Sequence, residues 1–260
     1  MMTRLDAATR LARAKALRPD SGRTNLSDLA YDRLEDLIVT CALPPGLFLS
    51  IQDLQARTGI GRTPMHQAVS RLASDTLIRV RPRHGIQVAP INLGRERTLL
   101  HLRGDMERFV VRLAAERAGD AHRSDLAAIA EALCDRGGVM DIGAFNALDQ
   151  RINRLLIAAA GEAFLEATLR PLHTIFRRIG WIYHSRVCPD DLGGTLQGHL
   201  AIVEAVAAGR VAEAAAASDS LIVFLEGMFD LLDGWDDLAL FDCNLQLPCG
   251  GPCPARDQTH

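Results

Sequence analysis

Lysine is almost missing from this sequence. Lys15 is the single one among 29 basic residues, so nearly all the positive charge is arginine, which a biased genomic base composition accounts for. Aromatic residues are also scarce, at 5 % of 260 positions, whereas apolar residues make up 48 %. A core must then be built from Ala, Leu, Ile and Val, which favours helices over β-sandwiches. No apolar run approaches the ~18 residues of a spanning helix, which excludes a membrane protein of that kind. Residues 1–23 are Arg-rich and lack an apolar stretch, so they do not read as a secretory signal. Six cysteines are too few here for a disulfide scaffold, and a cytoplasmic location is expected. No nucleophile elbow, P-loop or dinucleotide fingerprint occurs, which argues against catalysis.

Charge is distributed unevenly. Up to Asn92 thirteen basic residues face eight acidic ones, a net +5, and the remainder carries −8. A basic head on an acidic body implies that only one end meets a polyanion.

The pattern along the chain gives four segments: an arm at 1–24, a head at 25–92, a helical body at 93–235 and a tail at 236–260. In the head, Ala30, Leu34, Leu37 and Ile38 recur at helical spacing until Leu43-Pro44-Pro45-Gly46 breaks the run. Ser50 with Asp53 forms a capping-box pattern opening a short helix, which Gly59 ends. Thr63-Pro64 then reads as N-cap and first residue of a third helix. Its apolar face is Met65, Ala68, Val69 and Leu72. The period next drops to two: Ile78 and Val80, then Ile86 and Val88, flank the turn Pro82-Arg83-His84-Gly85, predicting a β-hairpin with a basic tip. After Leu93 the pattern is helical, with breaks near Gly119, Gly137-Gly138, Gly161, Cys188-Pro189 and Gly209. The expected fold is mainly α: a winged helix-turn-helix of three helices and a β-hairpin, followed by an all-helical antiparallel bundle.

This order defines a DNA-reading head. The outer face of the third helix offers Arg62, His66, Gln67, Ser70 and Arg71, donors and acceptors suited to a major groove. Arg81, Arg83 and His84 on the wing suit phosphates or a minor groove. Arg33 on the first helix completes the candidate contacts.

Leu43-Pro-Pro-Gly46, Gly61-Arg-Thr-Pro-Met-His-Gln-Ala68 and Pro82-Arg-His-Gly85 resemble the GntR family of bacterial transcription factors over Asn25 to Pro90. The resemblance implies that Arg62 and Thr63 contact DNA and that His84-Gly85 enters the minor groove. This chain departs from the family at His66 and Gln67. Cys41 and Thr76 stand where the family usually has Gly, and Gln52 where one branch has a backbone-contacting Arg.

In the body, Arg103-Gly-Asp-Met-Glu107 and Leu113-Ala-Ala115 resemble the start of the FCD effector domain of the FadR-like branch. The family places Asp-x3-His, His-x2-Ile and a third His around a divalent metal. Here Asp149-x3-Asn153 and His199-Leu-Ala-Ile202 take the first two places, and Leu221 the third. Asp149, Asn153 and His199 are thus a reduced metal set, able to hold Zn or Ni only weakly. By the same resemblance Arg103 points into an effector cavity with Asp149, Asn153 and His199. The bland reading of Arg103 is an exposed pair with Glu107, and that of His199 a hydrogen-bonded core residue. A buried Asp149 needs a partner, either a metal, a protonated His199 or Arg103. Arg177 or Arg178 is also expected to face inward. Cys243, Cys249 and Cys253 do not match a zinc spacing.

The expected function is a homodimeric operator-binding repressor released by a small metabolite bearing a carboxylate or phosphate. The competing classes are a metal-dependent hydrolase and an effector-independent architectural DNA binder.

Overall fold

The computed structural model describes residues 25–135, 140–189 and 192–233. The expected arm, the cysteine tail and the break at Gly137-Gly138 lie outside these residues.

The head begins with α1 (Leu26–Val39), capped by Asn25, whose side chain accepts from the Ser27 N–H at 3.2 Å. Ala30, Tyr31, Leu34 and Ile38 form its buried stripe. A two-residue strand β1 (Phe48–Leu49) precedes α2 (Ile51–Thr58). The Ser50–Asp53 capping box is present in both directions, and Gly59 ends α2 at φ +70°. α3 (Arg62–Ser74) starts earlier than Thr63-Pro64 predicts. Gly61 is extended, and its carbonyl already accepts the Met65 N–H at 3.2 Å, so Gly61 is the cap and Thr63 lies inside the first turn.

Strands β2 (Ile78–Arg81) and β3 (Gly85–Val88) form the expected hairpin, with Ile78 opposite Val88 and Val80 opposite Ile86. Two features differ from expectation. β1 pairs with β3, making a three-stranded antiparallel sheet in the order β1-β3-β2. Val80 is 61 % exposed, because the wing projects past the core that buries Ile78, Ile86 and Val88.

The body consists of α4 (Leu93–Arg117), α5 (Asp120–Asp135), α6 (Ile142–Ala160), α7 (Ala163–Ile182), α8 (Gly193–Ala207) and α9 (Val211–Asp233). α7 runs on into one wider turn, Tyr183–Val187, with π-helical bonding. Its predicted breaks at Gly119, Gly161, Cys188-Pro189 and Gly209 fall between elements. Arg123 ties the helix ends together by donating to the carbonyls of Ala115, Ala118 and Ala207. Head and body have separate apolar cores that meet at a few side chains: Ile175 of α7 is buried in the head's core, Leu99 of α4 packs against both, and Cys41 of the head packs against the body's core.

Candidate DNA-binding face and effector site

On α3 the two faces separate as the spacing predicts. Met65, Ala68, Val69 and Leu72 are buried, while Arg62, Thr63, His66, Gln67, Ser70 and Arg71 are exposed. Arg62, His66 and Gln67 present their polar ends outward at the helix start, the end that enters a groove in this class of motif. Arg71 is also engaged within the head. It forms an ion pair with Asp28 of α1, and its guanidinium lies 4.6 Å from the Tyr31 ring centre. Arg33 donates to the Thr58 carbonyl at 2.7 Å, satisfying an orphan acceptor at the end of α2. Gln52 is exposed on the first turn of α2.

The wing tip is exposed from Arg81 to Gly85. Arg83 has φ +64° and Gly85 φ +86°. A Cβ at Gly85 would lie 2.6 Å from the Leu49 carbonyl oxygen, so glycine is required there by both space and backbone conformation. Cys41 (φ +56°) and Thr76 (φ +61°) occupy the same left-handed region without being glycine.

Inside the body the structure brings together Arg103, Asp149, Asn153, Arg177 and His199, all buried. Asp149 Oδ1 accepts from Asn153 Nδ2 at 3.1 Å and faces His199 Nε2 at 3.0 Å. His199 Nδ1 faces the Thr195 carbonyl at 2.8 Å. Burial pushes the Asp149 carboxyl up, but the His199 hydrogen bond and charge, with Arg177 and Arg103 further off, hold it at about 2.

Arg103 is neither an exposed partner of Glu107 nor free. It donates to Glu107 at 3.1 Å with both side chains buried, and His173 Nε2 meets the same Glu107 oxygen at 2.6 Å. Burial raises the Glu107 carboxyl, and His173 and Arg103 together bring it down to about 2.

These residues do not fit a resident metal. Of the three candidate ligands only Asp149 and His199 are strong donors to a metal, and the Asn153 amide oxygen is a weak one. Leu221 fills the remaining place, packed so closely that a Cβ on Gly198 would lie 2.8 Å from its Cδ1. Among the described residues no three His, Cys, Asp or Glu side chains are grouped as metal ligands. The inner cavities are small. One of about 40 Å³ touches Arg103, Asp149, Arg177 and His199, and another of about 10 Å³ touches Asn153, His199 and Leu221.

The larger space, about 400 Å³, is a crevice between α1 of the head and the α6–α7 hairpin. Glu35 reaches into it from α1 and is buried. Its carboxylate accepts from Thr174 Oγ1 at 2.5 Å and Gln150 Nε2 at 2.9 Å, and meets Arg177 Nη2 at 3.3 Å and Arg170 Nη2 at 3.5 Å. Burial raises the Glu35 carboxyl, and Arg177 and Arg170 outweigh it, so its pKa lies below the ordinary value. Arg170 also pairs with Asp32, and its guanidinium lies 4.1 Å from the Tyr31 ring centre. Tyr31 therefore carries one arginine of the body and one of α3 on the same ring. The sequence reading did not find this joint. The available signal was a carboxylate, Glu35, next to the apolar positions Leu34 and Ile38 of α1.

A second joint lies at the start of α4. Glu96 is buried there 3.9 Å from Arg178, which donates to the Ala89 carbonyl at 2.9 Å. Burial pushes the Glu96 carboxyl up to about 7, with Arg178 opposing.

A winged helix-turn-helix with an exposed polar reading helix, joined to a helical body with a buried ionisable cluster, defines a DNA-binding transcriptional regulator rather than an enzyme. The chain belongs to the GntR family: residues 26–88 match the model for bacterial regulatory proteins of the gntR family, and residues 98–223 match the FCD domain. It is 26 % identical over 185 residues to the HTH-type transcriptional repressor RspR of Escherichia coli K12, covering 68 % of this chain and 76 % of that one. It is 26 % identical over 161 residues to the HTH-type transcriptional repressor GlaR of the same organism, covering 60 % and 73 %. The fold is similar to that of E. coli McbR/YncC, with a TM-score of 0.71 at 16 % identity, covering 82 % of this chain and all of that one.

Proposed function

We propose that this regulator is a cytoplasmic homodimer that represses from a pseudo-palindromic operator and is released by a small metabolite bearing a carboxylate or phosphate. Arg62, Thr63, His66 and Gln67 read bases in the major groove. Gln52, Arg83, His84 and Gly85 position the head on the backbone and in the minor groove. Arg33 and Arg71 support that face by fixing α1 against α2 and α3. One head covers too little surface for specific recognition, so two heads on two half-sites are expected.

The observation that carries the effector reading is the buried set Arg103, Asp149, Asn153, Arg177 and His199. Five polar side chains converge there, with Glu107 and His173 buried beside Arg103, which stability alone does not call for. Two relatives named as repressors support the sign of regulation. The test is selection of bound fragments from genomic DNA, then titration of the protein–operator complex with a panel of organic acids and phosphate esters. The expected result is a two-half-site operator and release by one chemical class. Binding that no compound alters, without preference for any fragment, would establish an architectural binder instead.

A further inference from the structure

The crevice beneath the head, at about 400 Å³, is of metabolite size, whereas the inner cavities are not. Its wall contains an incompletely satisfied cation. The Arg177 side chain is 4 % exposed and Nη2 contacts Glu35, but Nε and Nη1 are buried without any hydrogen-bond partner. A guanidinium keeps its charge and presents five N–H donors, and leaving buried donors unmade is costly. Arg177 lines this crevice as well as the inner cavity of about 40 Å³, and two unmade donors on it call for an anionic oxygen. Arg154, Arg170 and His173 line the same crevice, and Ile157 and Ala163 give it an apolar wall.

We propose that this crevice receives the anionic group of a small organic ligand, carboxylate or phosphate, on Arg177, and that the ligand competes with Glu35 of the head for that guanidinium. The inference rests on the effector-responsive reading above and supplies its lever. Oxygens bound at Nε and Nη1 draw the guanidinium toward the crevice and weaken its long contact with Glu35. Glu35 keeps Thr174 and Gln150 but loses a neutralising charge, so α1 is held less firmly on α7. The change has a short route to the DNA face. Glu35 and Tyr31 are one turn apart on α1, and the Tyr31 ring touches both Arg170 and the α3 residue Arg71.

The test is calorimetric titration of the full chain with citrate and, separately, inorganic phosphate, which distinguishes the two anion chemistries. At least one probe is expected to bind. Arg177→Gln should weaken it by about tenfold or more, the cost of one charged hydrogen bond. Glu35→Gln should tighten it by about tenfold, because the competing carboxylate is gone. Thr174→Val changes no charge but frees Glu35, and should act in the same direction by a smaller factor. It keeps the question open to test if circular dichroism shows that Glu35→Gln fails to fold. Three results would overturn the proposal: no binding of either probe at millimolar concentration, affinity unmoved by both Glu35→Gln and Thr174→Val, or loss in His199→Ala with retention in Arg177→Gln. Failure of the effector reading is separate, appearing as wild-type operator binding that a bound probe leaves unchanged.

Discussion

Asp149 on α6 and His199 on α8 face each other at 3.0 Å, Oδ1 to Nε2, and among the described residues no third His, Cys, Asp or Glu joins them as a metal ligand. Asp149 thereby has a hydrogen-bond partner in its buried place, with Asn153 as a second donor. Release of the operator by organic acid is accordingly expected to survive treatment with EDTA. Elemental analysis of the purified chain should find less than one tightly held metal. A stoichiometric Zn or Ni that resists chelation would contradict this account of the site.

Glu96 makes stability fall as pH rises. Its proton leaves near the ordinary value of 4.5 in the unfolded chain but at about 7 in the folded one. The folded state therefore binds more protons between those values, and the contribution is complete below 4.5 and lost as pH rises through 7. Asp149 and Glu107, held at about 2, act in the opposite sense in a more acidic window. Melting temperature should decline between about pH 5 and about pH 8, and Glu96→Gln should flatten that decline. An unchanged slope in Glu96→Gln would remove Glu96 as the cause.

Thr76 is β-branched and sits at φ +61°, a conformation that costs an L-residue about 1–2 kcal/mol. Its hydroxyl accepts from Arg95 at 3.2 Å, but at an exposed site where water can substitute. Thr76→Gly is expected to raise unfolding stability in urea by about 1 kcal/mol, the strain relieved exceeding the backbone entropy that glycine adds to the unfolded state. A loss of stability would show that the hydroxyl contact outweighs the strain.

Arg62 stands exposed at the start of α3 without an intramolecular partner among the contacts described. Arg62→Ala should reduce operator affinity by about 1–3 kcal/mol and relax base preference at one position of each half-site. Mobility shift on operator and random DNA separates the roles, since an equal loss on both would mean a phosphate contact alone. Arg71→Ala differs, because it should also lower stability through Asp28 and Tyr31.

Local rules were readable where they were complete within a few residues. The Ser50–Asp53 box, the Gly59 stop, the α3 apolar face and the wing turn each follow from neighbours in sequence. β1 was hidden because two residues show no period, and its pairing with β3 is decided forty residues away. The α3 start was misplaced because Gly61, Thr63 and Pro64 each suit a helix entrance, and the carbonyl of Gly61 decides it. In the body, the resemblance located Asp149, Asn153 and His199, and they do meet. The loss of ligands is readable from spacing, since Asn153 and Leu221 stand at ligand places, whereas the Thr195 contact to His199 is a product of packing. Glu35 lies about 140 residues from Thr174 and Arg177, so their meeting is a product of packing.

Ile175 belongs to the body helix α7 but is buried in the head's core. A head with such a dowel driven into it does not swing freely on the 89–92 connection. In the proposed homodimer the body would act as a caliper, setting the span between reading helices with little play. One added base pair rotates a half-site by about a tenth of a turn, beyond what such a caliper absorbs without withdrawing the dowel. Operators of this regulator should therefore share one spacing, with sequence drift tolerated more readily than a change of length.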